Sequence, residues 1–136
     1  MKVTGILETA LHVEDVPRSR EFYQNIFGFP VLQGDDRFCA LNVADKQVLL
    51  LFKKDGSTEP IAVPGGIIPP HGGDGKLHFA FSIPAADLSA WEARLGDHGV
   101  AIESRVHWER GGDSIYFRDP DGHLAELVTP GIWAIY

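Results

Sequence analysis

Apolar and polar residues alternate over residues 7–13 and then give way to Glu14-Asp15-Val16-Pro17, an aspartate suited to cap a helix followed by a proline suited to its first turn. A strand is therefore expected to run into a helix. Phe22, Tyr23, Ile26 and Phe27 then recur at three- and four-residue spacing, and Gly28 offers a left-handed stop, which predicts an amphipathic helix of about three turns. Short β-type runs follow at 31–32, 37–43 and 47–53, separated by Gly34-Asp35-Asp36 and Ala44-Asp45. The unit reads β-α-β-β-β.

Residues 55–76 hold a density of Pro and Gly that neither helix nor strand tolerates, so this stretch is expected to be a linker with a lid role. After it the pattern returns: a strand at 77–83, a helix from about 86 to 98 ending at Gly99, then runs at 100–108, 113–118 and 124–129. An offset of 70 lays Val13 on Ile83 and Glu8 on His78, while Gly28 meets Gly99 at 71, which one insertion in the helix reconciles. A single duplication of this length suggests two modules sharing a sheet rather than a solenoid. The expectation is an α+β fold in one domain, 1–136, with module one at 1–54, the Pro/Gly-rich linker at 55–76 and module two at 77–136.

Composition narrows the function classes. The 136 residues hold 12 Lys plus Arg against 19 Asp plus Glu, a formal net charge of −7 with no blocks of one sign, which argues against nucleic acid or an anionic membrane as the main partner. No apolar run approaches the ~18 residues of a membrane span, and the opening residues lack the apolar stretch of a signal peptide, so a soluble, cytoplasmic protein is expected. Cys39 is the single cysteine, which leaves His and carboxylates as the available metal ligands.

Side chains alternate across a sheet, so Glu8, Ala10 and His12 share one face and Leu11 and Val13 the other. The same parity separates His78, Ala80 and Ser82 from Phe79 and Phe81, Ser114 and Tyr116 from Ile115 and Phe117, and Glu126 from Ala125 and Leu127. The bulky apolar set should face the helices, which leaves the polar groups together on the opposite side. A carboxylate inside Leu124-Ala125-Glu126-Leu127-Val128 needs a partner or a metal if buried; the plain alternative is a solvated strand residue.

Two β-α-β-β-β modules, with Val13-Glu14-Asp15-Val16-Pro17, Phe22-Tyr23, Phe27-Gly28, Leu77-His78-Phe79-Ala80 and Asp119-Pro120-Asp121-Gly122-His123 followed by Glu126, resemble the vicinal oxygen chelate superfamily. That superfamily includes glyoxalases, extradiol dioxygenases, fosfomycin-modifying thiol transferases and bleomycin-resistance proteins. The resemblance covers nearly the whole chain and speaks to fold more than reaction. It implies a curved mixed sheet with a concave metal and substrate cavity, and one divalent ion (Mn, Fe, Ni, Zn or Mg) held by Glu8, His78 and Glu126. Leu49 falls where glyoxalases place a fourth ligand, so a four-ligand site is not expected.

His12 competes with Glu8 for the ion, since it lies on the same face about 13 Å further along the strand. Both cannot bind one metal, and the repeat offset favours Glu8. His12, Ser114 and Tyr116 are then candidate substrate-binding residues; the last two resemble hydroxyls of the fosfomycin-modifying branch, although the phosphonate-binding lysine position of that branch falls on Val106. No catalytic residue is assigned. His71 is expected to be exposed in its loop, His107 and Trp108 to line the cavity mouth, His123 to serve the turn it follows, and Trp133 and Tyr136 to pack on something.

The function these readings imply is a metal-dependent enzyme of the lyase, isomerase, dioxygenase or thiol transferase kind. It is expected to act as a homodimer on a small-molecule substrate with vicinal oxygens. The rival is a metal-free module that sequesters a drug as bleomycin-resistance proteins do, for which the acidic charge would suit a cationic ligand. A third option is a structural dimer with an empty cup.

Overall fold

The computed structural model describes Met1–Tyr136, and the chain separates into two compact units, Met1–Gly75 and Lys76–Tyr136. In the first, strand β1 (Glu8–Val13) leads into helix α1 (Val16–Phe27), followed by β2 (Val31–Gly34), β3 (Phe38–Val43) and β4 (Gln47–Lys53). The helix begins at the expected cap: Asp15 accepts a hydrogen bond from the Arg18 amide at 2.9 Å. It ends where Gly28 takes φ 70°, a left-handed conformation that costs glycine little. Its buried residues Val16, Ser19, Tyr23 and Ile26 recur at helical spacing on the side that packs on β3 and β4.

The parallel partner of β1 is β4, and antiparallel pairing continues to β3 and β2, so the order is β1-β4-β3-β2. A parallel pair needs a long crossover, which α1, β2 and β3 supply between them. Leu11, Val13, Leu41, Leu49 and Leu51 are buried, each contributing roughly 1.5–3 kcal/mol by leaving water. Cys39 joins them, and burial pushes its thiol up, with Arg20 opposing, so it acts as a packing residue.

The stretch expected to be an irregular linker contains a short hairpin. Strand β5 (Ile61–Val63) pairs antiparallel with β6 (Gly66–Ile68) around Pro64-Gly65. Pro64, Gly65 and Gly66 lie at the turn while the other breakers lie outside the hairpin, and Ile61, Val63, Ile67 and Ile68 are ordinary strand formers.

The second unit repeats the first. Strand β7 (His78–Ser82) is followed by helix α2 (Leu88–Asp97), β8 (Ile102–His107), β9 (Asp113–Arg118) and β10 (Leu124–Val128), in the order β7-β10-β9-β8 with β7 and β10 parallel. The helix proper starts later than the sequence suggests, after a 3₁₀ turn at Ala85–Asp87. Tyr136 is tied down, its hydroxyl lying 3.2 Å from the Ile83 carbonyl and 3.1 Å from that of Val128, while Trp133 is exposed in the single chain. No helix is long and apolar enough to cross a membrane.

Register makes the repeat exact at the positions of interest. Glu8 faces Val48 and Ala10 faces Leu50; in the second unit His78 faces Leu124 and Ala80 faces Glu126. Glu8 and His78 are thus equivalent, and the counterpart of Glu126 is Leu50. This corrects the placement of Leu49, which is 2 % exposed and belongs to the core, whereas Leu50 turns to the other face. One step along a strand exchanges faces.

Candidate functional site

In the second unit, β7, β10 and β9 lie side by side and bring His78, Glu126, Tyr116 and Ser114 onto one face, as parity requires. Ile115, Phe117, Ala125 and Leu127 are buried on the other. Tyr116 stands directly across from Glu126, and the Tyr116 and His78 ring centres are 6.1 Å apart. Glu126 is only 5 % exposed, which removes the reading of a solvated strand residue.

His78 Nδ1 lies 3.1 Å from the Leu124 carbonyl oxygen, an acceptor without a proton, so Nδ1 carries the hydrogen and donates. That leaves Nε2 directed at Glu126 Oε2, 3.3 Å away. A neutral imidazole nitrogen and a carboxylate oxygen would confront each other as two lone pairs. The contact calls for a cation: a proton on Nε2, or a metal ion bound by both groups. Glu126 Oε1 adds to the demand, being buried without a hydrogen-bond partner. A second unpaired oxygen on a buried carboxylate is what a metal satisfies and a single proton on Nε2 does not. The pair therefore fits two ligands of a divalent ion, with the Leu124 carbonyl orienting the imidazole.

The hydroxyl groups beside the pair have defined roles. Trp108 Nε1 is donor-only, and it gives its hydrogen to Ser114 Oγ at 2.8 Å, fixing that buried hydroxyl. Burial pushes the Tyr116 phenol above its ordinary range, the Ser114 hydroxyl opposing and the Glu126 carboxylate adding to the rise. Tyr116 is thus a protonated hydrogen-bond donor at neutral pH. His107 remains exposed and pairs with Asp113 at 2.8 Å.

Glu8 and His12 lie in the first unit. With Ala10 they line a cavity of about 940 Å³ whose wall also includes Leu50, Phe52 and His71. His12 stacks on Phe52 with ring centres 5.8 Å apart, and His71 meets Phe52 edge-on at 4.5 Å. His71 is therefore part of the cavity wall and half-buried, a correction to the exposed loop residue expected. Its amide bonds the Ser57 carbonyl at 2.8 Å, a tie between two ends of the Pro/Gly-rich stretch that no local pattern announces. Gly73 packs close to this ring: a Cβ would lie 3.1 Å from His12 Nδ1, so a larger residue would make the imidazole shift by a few tenths of an ångström. No group of three His, Cys, Asp or Glu side chains is assembled, so of the expected ligand set the structure joins His78 to Glu126.

A family profile described as the Glyoxalase/Bleomycin resistance protein/Dioxygenase superfamily matches residues 5–127. The chain belongs to this superfamily. Among superfamily relatives, a catechol-2,3-dioxygenase of Bacillus subtilis is 35 % identical over 127 residues, 93 % of this chain and 41 % of that protein. This chain thus spans about two-fifths of the dioxygenase. A metallothiol transferase FosB of Bacillus licheniformis is 32 % identical over 133 residues, 97 % of this chain and 79 % of the relative. The crystal structure of a lactoylglutathione lyase from Agrobacterium tumefaciens superposes with a TM-score of 0.88 at 29 % identity, covering 98 % of this chain and 99 % of that one. Superfamily members matched this closely carry three different reaction names, so the reaction rests on the site.

Proposed function

We propose that the protein is a metal-dependent enzyme that acts on a small substrate with vicinal oxygens, with His78 and Glu126 as two of the ligands. The observation that carries this reading is the His78 Nε2 to Glu126 Oε2 contact of 3.3 Å beside a buried, unpartnered Oε1. Glu8 is the third ligand implied by the family resemblance. Two carboxylates and an imidazole form a hard, oxygen-rich set suited to Mn²⁺, Mg²⁺, Fe²⁺, Ni²⁺ or Zn²⁺. When bound, such an ion acts as a Lewis acid that stabilises negative charge on a chelating substrate oxygen.

The chain's own groups complete the site. Tyr116, protonated at neutral pH and facing Glu126, donates a hydrogen bond to a substrate oxygen rather than acting as a base. Ser114, its acceptor side taken by Trp108, helps hold that phenol in place. His12 contributes a half-buried imidazole to the cavity of the first unit.

The apolar and aromatic wall of that cavity favours a second reading, sequestration of a drug-sized ligand without metal, as in bleomycin resistance. One screen separates the two: metal-loaded protein is offered catechols, hemithioacetals, epoxides with thiols, and bleomycin-type drugs, with and without chelator. Chelator-sensitive turnover of a small substrate supports the enzyme. Tight drug binding indifferent to chelator, without turnover, supports sequestration.

A further inference from the structure

We propose that His123 is a positioning residue for His78: its imidazole replaces a missing rung of the β7/β10 ladder and thereby fixes the backbone from which His78 projects. The part of this inference that concerns metal rests on the reading of His78 and Glu126 as ligands.

In a parallel pair every second residue of a strand donates its N–H to one residue of the neighbouring strand and accepts at its C=O from the residue two further on. Leu77, just before β7, accepts from the Leu124 amide at 2.8 Å, so its own N–H should find the Gly122 carbonyl. That carbonyl instead accepts from Arg118 Nη1 at 3.2 Å, because the chain is still leaving the turn. The Leu77 N–H goes to His123 Nδ1 at 3.0 Å. A side chain thus supplies the acceptor that the backbone withholds.

The imidazole is itself firmly placed. His123 is 2 % exposed, and the buried Asp119 carboxylate accepts from the His123 amide at 2.8 Å and from the Asp121 amide at 3.0 Å. Accepting from a backbone N–H obliges Nδ1 to be unprotonated, which puts the His123 hydrogen on Nε2. The two strands exchange histidines: His123 holds the backbone of residue 77, and His78 donates back to the carbonyl of Leu124. Because β7 is an edge strand with His78 exposed, the Leu124 carbonyl orients that ring together with Glu126 on β10 and Tyr116 on β9. In the first module the place of His123, opposite Leu7, is taken by the exposed Gln47.

The test uses His123→Asn, His123→Gln and His123→Leu in the full chain. Asn sets an acceptor oxygen where Nδ1 stands, whereas Gln sets it about one bond further out. In metal-free protein, ¹H–¹⁵N spectra of the imidazoles should show the His78 Nδ1–H hydrogen-bonded and protected from exchange in wild type and His123→Asn, and lose that bond in His123→Gln and His123→Leu. Titration with Co²⁺ should show roughly tenfold or more weakening in His123→Gln and near-wild-type affinity in His123→Asn. A His123→Gln protein with wild-type His78 spectra and Co²⁺ affinity overturns the inference, as does His123→Asn failing alongside it. Wild-type protein that takes no Co²⁺ defeats the metal reading alone, and the imidazole spectra still decide the role of His123.

Discussion

His78 Nε2 and Glu126 Oε2 stand 3.3 Å apart on neighbouring parallel strands, with the imidazole's other nitrogen committed to the Leu124 carbonyl. Strand register creates this relationship: Leu124 faces His78 and Glu126 faces Ala80, so the two side chains share a face one pleat apart. The contact makes chemical sense with a cation between the groups, and the predictions below follow from it and from its neighbours.

The first concerns the third ligand. Glu8→Ala should weaken metal binding at least tenfold, measured by calorimetric titration, while His12→Ala leaves it within about twofold. The opposite ranking would transfer the ligand role to His12.

A second prediction concerns Tyr116 in metal-free protein. Burial raises its pKa in the fold, so between the unfolded and folded values the native state binds the proton more firmly. Its contribution to stability is thus fully present below the unfolded phenol value of about 10 and is lost as pH rises through the folded value. Ultraviolet titration should show a late-ionising tyrosine that disappears in Tyr116→Phe. An early transition removed by that substitution would contradict the burial argument.

Asp15→Ala removes the side-chain oxygen that caps α1 at the Arg18 amide. Urea denaturation should show a loss of about 1 kcal/mol, with the far-ultraviolet dichroism of the folded protein unchanged. No loss would mean that water replaces the cap at no cost.

The two sheets leave β1 and β2, and β7 and β8, as edge strands, and Ile67 and Trp133 are exposed at 71 % and 68 %. We expect a homodimer, with a light-scattering mass twice that of the 14.9 kDa chain at micromolar concentration. A mass of one chain would contradict it.

Much of this arrangement was legible in the sequence because it follows from periods of two and 3.6 residues. The duplicated module, the Asp15 cap, the Gly28 stop and the common face of His78, Glu126 and Tyr116 all come from such local rules. Leu49 is misplaced by sequence because its neighbours Val48 and Leu50 are apolar too, so composition cannot show which faces the core; only the pairing of Ala10 with Leu50 settles it. The hairpin at Ile61–Val63 and Gly66–Ile68 was hidden by Pro and Gly lying in and around its turn. His71 and His123 owe their places to contacts far along the chain, with Phe52 and with the Leu77 amide, and no pattern within a single segment carries that information.

The most direct test of the account is the metal content of purified protein, by elemental analysis after exhaustive dialysis against a metal-containing buffer and then a metal-free one. The wild type should retain one divalent ion per chain, while His78→Ala and Glu126→Gln, each confirmed folded by circular dichroism, retain less than a tenth of that. Wild-type protein without stoichiometric metal, or either variant holding its full complement, would contradict the assignment of His78 and Glu126 as a metal-binding pair.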